Sequence, residues 1–371
     1  MLSGRIPIQL MLWLGDTLPL PAPYDVTSAL IHAEIADDAG GYSGFQLTFT
    51  LAKQKFGEFG LVRSGKLDPS TRIVIAIRMG VVPRVLIDGV ITHTEVTPAG
   101  EAGVSTLTVT GRDISQMMDL EHKTATFENM SDSLIAARII AQYSRYGLVA
   151  ETIPVADLPL MVQRVPWQYH ETDLSFLRRL AWRNGYVFRL QSVTFKENRA
   201  LFGPATRFGV PQEPLRVDAG GGSNVRSLNF SNNSLASVSA KGTFLVPFTK
   251  LAVPIPQLPS LLLPPLSARP ARPLLVRQLD GTANQSPAKA VATALSAVTL
   301  APEAVSANGE LDTVRYGAIL RAGSTVGVGG AGRANDGVYF VRQVTHAIAV
   351  GEYRQSFTLS REGTGSLSPV V

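Results

Sequence analysis

Apolar and polar residues alternate with a period of two over much of this chain, and the period changes to that of a helix only in short stretches. Gly44–Leu51 alternates cleanly, Thr71–Met79 is almost continuously β-branched, and Ser105–Asp113 alternates again, so the chain up to about residue 120 reads as closely spaced strands forming a small barrel or sandwich. Pro83–Ile91 reads as a hairpin folded around Asp88-Gly89, and Ile114–Leu120 as a short helix or turn.

From about residue 121 to 215 the pattern becomes mixed. Ser131-Asp132-Ser133 opens a helix carrying Leu134, Ile135, Ile139 and Ile140, which should end near Arg145-Tyr146-Gly147. An irregular connection through Pro154, Pro159 and Pro166 leads to a second helix. There, Thr172 or Asp173 suits the cap, and Glu171 and Asp173 sit where the helix dipole favours anions. Leu174, Leu177, Leu180 and Ala181 fall at helical spacing, with Phe176 widening the apolar side. Arg178, Arg179 and Arg183 crowd the last turns, and Asn184-Gly185 supplies a left-handed stop before an aromatic strand.

The final portion, 216–371, returns to strands after the turn at Ala219–Ser223: Val225–Phe230, Ser237–Thr243, Thr325–Val328, Gly337–Ala349 and Tyr353–Arg361, the last two joined around Gly351. Between residues 251 and 285, Pro254, Pro256, Pro259, Pro264, Pro265, Pro270 and Pro273 punctuate an apolar stretch containing Leu261-Leu262-Leu263. A long extended loop lying against the body or a partner is expected there. Ser286–Val298 is an alanine-rich helix with Ser286-Pro287 as cap and first-turn residue.

Composition adds three constraints. The 371 residues exceed what one core usually holds, so two or three subdomains are expected. Only 17% of residues are charged, which favours assembly through large contacts. The net charge of +5 is concentrated between Arg164 and Arg207, where eight basic residues face three acids. This reads as a solvated basic face; no aromatic stacking series accompanies it, so no specific nucleic-acid recognition is expected. With no cysteine there are no disulfides or thiolate metal sites. Neither a signal peptide nor an apolar run of roughly 20 residues is visible, so no transmembrane segment and cytoplasmic assembly are expected.

Candidate chemistry is sparse. His170-Glu171-x-Asp173 brings imidazole and carboxylates together, but without a second histidine at helical spacing, and the helix start accounts for both acids. Gly327–Gly332 is glycine-rich but precedes a strand rather than a helix, so a hairpin turn is expected. Catalytic, cofactor-binding and metal-binding residues are accordingly predicted as none.

Gln168, Tyr169, Glu171, Thr172, Asp173, Phe176, Arg179 and Leu180, followed by Gly185, Tyr186 and Phe188, form a pattern that resembles the hub proteins of contractile injection machines. These include the phage late control protein D family, myophage baseplate hubs and the N-terminal part of the type VI valine-glycine repeat spike proteins. Gly111-Arg112-Asp113 after a strand resembles the end of the first domain in that family. Gly337, Tyr339, Val341, Val344, His346, Phe357, Leu359 and Arg361 resemble the terminal strands of its second.

The resemblance implies a mainly β fold with an α+β insertion: a first tube-like β-barrel domain (1–120), an α+β connecting domain with two helices (121–215), and a second tube-like β-barrel (216–371) carrying the Pro-rich insertion. It implies a non-enzymatic tail hub, a homotrimer adapting a hexameric inner tube protein to a trimeric spike protein among other baseplate proteins, assembled in the cytosol and then part of a phage tail or injection particle. The chain stops at Val371 without spike repeats, so the spike is expected to be a separate polypeptide. Leu174, Leu177 and Leu180 are the expected helix core, and Arg178, Arg179 and Arg183 the expected subunit contacts. Two other classes stay open: a hub-like cell-wall hydrolase, and a β-sandwich receptor- or carbohydrate-binding module.

Overall fold

The computed structural model describes residues 8–53, 58–100, 104–154, 167–205, 207–218, 220–246, 249, 251–256, 260, 262–282 and 287–367. The expectations at Met1–Arg5, Pro159, Arg164, Pro166, Ala219, Pro259, Leu261 and Ser286 lie outside the described residues.

The first third holds β1 (Ile8–Gly15), β2 (Leu20–Pro21), helix α1 (Tyr24–Ala29), β3 (Leu30–Asp38), β4 (Gly44–Leu51), α2 (Gly60–Arg63), β5 (Arg72–Met79), β6 (Pro83–Thr97) and β7 (Ser105–Asp113), then a 3-10 turn, Ile114–Met118. All strand pairs here are antiparallel, in the order β3-β4-β7-β6-β5-β1-β2. β5 is buried over six consecutive residues, Arg72 to Ile77, which explains its unbroken β-branched run: both of its faces are covered.

The hairpin expected at Asp88-Gly89 is not there. β6 runs straight through it, and the chain turns instead at Gly80-Val81-Val82, where Gly80 has φ +83° and Arg78 pairs with Pro83. Asp88 is buried because its carboxylate receives Arg72 Nε at 2.9 Å and Nη2 at 2.6 Å, together with Asn198 Nδ2 at 2.6 Å. Gly89 marks a close approach rather than a turn, since a Cβ there would lie 2.3 Å from the Arg112 carbonyl oxygen and 2.9 Å from the Phe45 ring.

The middle of the chain contains β8 (His122–Thr126), α3 (Asp132–Ala141), β9 (Leu148–Thr152), β10 (Trp167–Thr172), α4 (Asp173–Arg183), β11 (Tyr186–Ser192) and β12 (Asn198–Pro204). The first helix stops at Ala141, a separate 3-10 turn spans Ser144–Tyr146, and Gly147 takes φ 75°. Ile135, Ile139 and Ile140 are buried with the α4 leucines, whereas Leu134 is 58% exposed, one step off the apolar face.

The last third contains β13 (Gln212–Arg216), β14 (Val225–Asn232), β15 (Val238–Lys241), β16 (Thr243–Leu245), β17 (Ala252–Pro254), β18 (Arg269–Pro270), β19 (Leu275–Gln278), α5 (Pro287–Thr299), β20 (Val305–Asp312), α6 (Thr313–Tyr316), β21 (Thr325–Gly329), β22 (Gly337–Ala349), β23 (Glu352–Arg361) and β24 (Gly363–Thr364). β22 and β23 turn at Gly351, and the glycine-rich segment is the connection between antiparallel β21 and β22. The Pro-rich stretch is not wholly irregular: β17, β18 and β19 pair with β16, β24 and β15. These strands are two to four residues long, which is how they fit between the prolines.

β3 and β22 are themselves paired, from His32–Ala349 to Asp38–Gln343, so the main strands of the two end thirds form one 13-stranded sheet, with β15–β19 and β24 outside it. The result is a mainly β fold with helical insertions.

Candidate assembly site around the central helix

The Thr172 hydroxyl caps α4 by accepting the Ser175 amide at 3.2 Å and donating to Asp119 Oδ1 at 2.5 Å. Leu174, Phe176, Leu177, Leu180 and Ala181 are all at most 1% exposed, facing α3, β11 and β12. Asn184 closes the helix and Gly185 follows at φ 68°.

Asp173, 2% exposed, is saturated. Its Oδ2 receives Lys123 Nζ at 2.6 Å and the Tyr143 hydroxyl at 2.7 Å, and its Oδ1 receives Gln168 Nε2 at 3.0 Å. Burial, and then the bond to this carboxylate, pushes the Tyr143 phenol well above its usual range. A β-bulge between Gln168 and Glu171 puts His170 at φ 47° and leaves its ring edge-on to Tyr169, 4.4 Å between centroids. Glu171 instead pairs with Arg179. The histidine and two acids that were adjacent in sequence therefore do not converge. Among the described residues no group of three or more histidine, aspartate or glutamate side chains is placed to hold a metal.

Each of the three arginines has a partner inside the chain. Arg178 donates to the Gly41 carbonyl at 3.1 Å and lies 3.5 Å above the Tyr42 ring, which Arg112 approaches at 5.1 Å. Arg179, the most open, donates to Glu171 and, at 2.8 Å, to the Trp167 carbonyl. Arg183 forms a fork with Asp132 at the start of α3, and Asn184 Nδ2 reaches the same carboxylate at 2.6 Å. Asp132 is 1% exposed, so this pair joins the two helices from inside.

Exposed Trp182, at 52%, stands beside a cavity of about 390 Å³ that also meets Arg178, Arg342 and Leu262 of the Pro-rich stretch. That stretch is fastened to the body: Glu362 accepts the amides of Leu266 and Ser267, and Arg207 bridges Glu303 and Glu362. Sequence reading missed Asp132, Glu303 and Glu362 as partners because each lies 50 or more residues from its arginine.

Two sheet edges complete the surface. β14 pairs only with β20, and Ile8–Met11 of β1 pairs only with β5, so each presents an outer backbone edge that no strand covers among the described residues.

No protein-family model and no curated protein matches the sequence. The fold does have solved counterparts. A tail protein from Neisseria meningitidis MC58 superposes with a TM-score of 0.63 at 14% identity, covering 96% of this chain and 98% of that one. The 43 kDa tail protein of prophage MuSo2 from Shewanella oneidensis gives 0.62 at 15% identity, over 96% and 99%. The fold is that of phage tail proteins. The E. coli c3393 protein, described as a type VI secretion component structurally similar to the T4 tail proteins gp27 and gp5, gives 0.51 at 12% identity over 92% of this chain and 76% of its own. The similarity to these tail proteins spans nearly the whole chain.

Proposed function

We propose that this chain is a structural hub at the tip of a contractile, phage-tail-like injection machine, without a catalytic role. The observation that carries the proposal is the near end-to-end correspondence with two tail proteins, 98% and 99% of their lengths. In this reading residues 1–120 and 216–371 are the two tube-like units, built on the ladders β3-β4-β7-β6-β5-β1 and β14-β20-β23-β22-β21, the second extended by β13, most of which precedes residue 216. Residues 121–215 connect them. Three copies place six such units around an axis, matching a hexameric inner tube on one side and a trimeric spike on the other, with the open edges of β1 and β14 pairing across subunits.

Arg178 and Arg179 are the leading polar contacts to a neighbouring subunit. Arg183, its side chain 21% exposed, offers only the edge that Asp132 leaves free. Assembly takes place in the cytosol, before the particle is deployed.

The test is native mass measurement of the purified chain, alone and with its spike protein. A trimer in either condition is expected, and negative-stain images should show a ring of sixfold outline. A chain that stays monomeric in both conditions overturns the proposal.

A further inference from the structure

A second cavity, of about 380 Å³, lies where the three parts of the chain meet. The start of β6 supplies Arg84, β11 and β12 supply Arg189 and Arg199, and the segment between α6 and β21 supplies Arg321. Asp37 and Asp113 enter from the ends of β3 and β7. Four guanidinium groups thus face two carboxylates, with Glu197 beside Arg199 and Glu151 within electrostatic reach of Arg189.

The two acids are already engaged by backbone. Asp37 accepts the Ala322 amide at 3.1 Å, and Asp113 accepts the amides of Ser115 at 2.9 Å and Ser43 at 3.2 Å. Among the described residues the inner arginines hydrogen-bond to carbonyl oxygens: Arg189 donates to Ala322 at 3.3 Å, and Arg321 to Leu86 at 3.2 Å and to Val85. At the exposed mouth, Arg84 has no ion-pair partner among the described residues, and Arg199, its side chain 51% exposed, meets only Glu197 at 3.7 Å. Burial lowers the pKa of both Arg189 and Arg321, more than the negative charge of Asp37 beside both and of Glu151 near Arg189 raises it. Burial also raises the pKa of Asp37 and Asp113, which weakens the internal compensation.

A concave, partly dry site lined by guanidinium forks is suited to an oxyanion with several acceptor atoms, because each fork can donate two parallel hydrogen bonds. We propose that this cleft binds a small phosphoryl dianion, free or esterified, held by Arg189 and Arg321 from within and by Arg84 and Arg199 at the mouth. The volume is that of a small-ligand site. The inference stands on the cleft alone and does not depend on the hub reading.

The test is thermal unfolding of the full chain in sodium phosphate against sodium chloride at matched pH and ionic strength, with phosphorus NMR line broadening as a direct readout. Phosphate should raise the midpoint saturably, as a ligand of the folded state does. Arg84→Gln with Arg199→Gln, both exposed positions, should weaken the apparent affinity by about tenfold or more while leaving the phosphate-free midpoint in place. A glycerol 3-phosphate arm separates sources: tighter binding than inorganic phosphate assigns an ester, and equal or weaker binding assigns the free ion. Equal responses to phosphate and chloride, or an unchanged response in the double variant, overturn the proposal. So does an acetyl-triglutamate amide that binds more tightly than either phosphate.

Discussion

At the scale of single residues, the buried polar groups hold the sharpest expectation. His346 is fully enclosed in β22, its Nδ1 2.9 Å from the Tyr353 hydroxyl and its Nε2 without a partner among the described residues. Burial first, and then the nearby charge of Arg321, pulls its pKa down to about 3. The unfolded chain therefore binds this proton more readily than the folded one. The stability that neutral His346 contributes is complete above its ordinary value of 6.5 and is lost as pH falls from there towards 3, at about 1.4 kcal/mol per pH unit. Urea midpoints measured at pH 7 and pH 5 should differ markedly in the natural chain and much less in His346→Gln; equal pH dependence in the two would refute the assignment. The sequence showed His346 as part of a strand but not as buried, because alternation says which residues share a face and not how deeply that face is covered.

At the scale of elements, strands bounded by strong local signals were legible almost to the residue. β4 and β7 coincide with their alternating runs, and α4 begins and ends at the cap and stop read from Thr172 and Asn184-Gly185. The failures are tertiary. Asp88-Gly89 has the composition of a turn, yet the Arg72 ion pair and the approach of Phe45 hold it extended within β6. Asp132 opens its helix as the sequence suggests, but it is also the buried partner of Arg183, 51 residues away, which no local pattern shows. That pair yields a prediction about how α3 and α4 hold together. Arg183→Leu leaves a buried carboxylate with only Asn184 beside it and should cost about 3–5 kcal/mol in chemical denaturation. Adding Asp132→Asn should restore much of that loss, since the stranded charge is then gone. Additive losses in the double variant would mean that the two side chains are not coupled.

At the scale of the whole molecule, the seven-residue ladder from Asp38–Gln343 to His32–Ala349 makes separable domains unsuitable as folding units. The core of the first third includes Ile319, Ile348 and Tyr353 from the far end of the chain. Removing residues 121–371 would strip β3 of β22, expose that edge along its length, and open the apolar surface those three side chains cover. Sequence patterning could suggest two β units, because each has its own run of strands, but not their fusion: strand pairing between residues 300 apart has no local signature. A fragment of residues 1–120 should therefore aggregate, or show a broad, non-cooperative thermal transition by circular dichroism, whereas the full chain should unfold with the strands of both end thirds in one transition. If the fragment proved to be a soluble monomer with a sharp transition and dispersed amide NMR signals, the β3–β22 seam would be a contact between independent units.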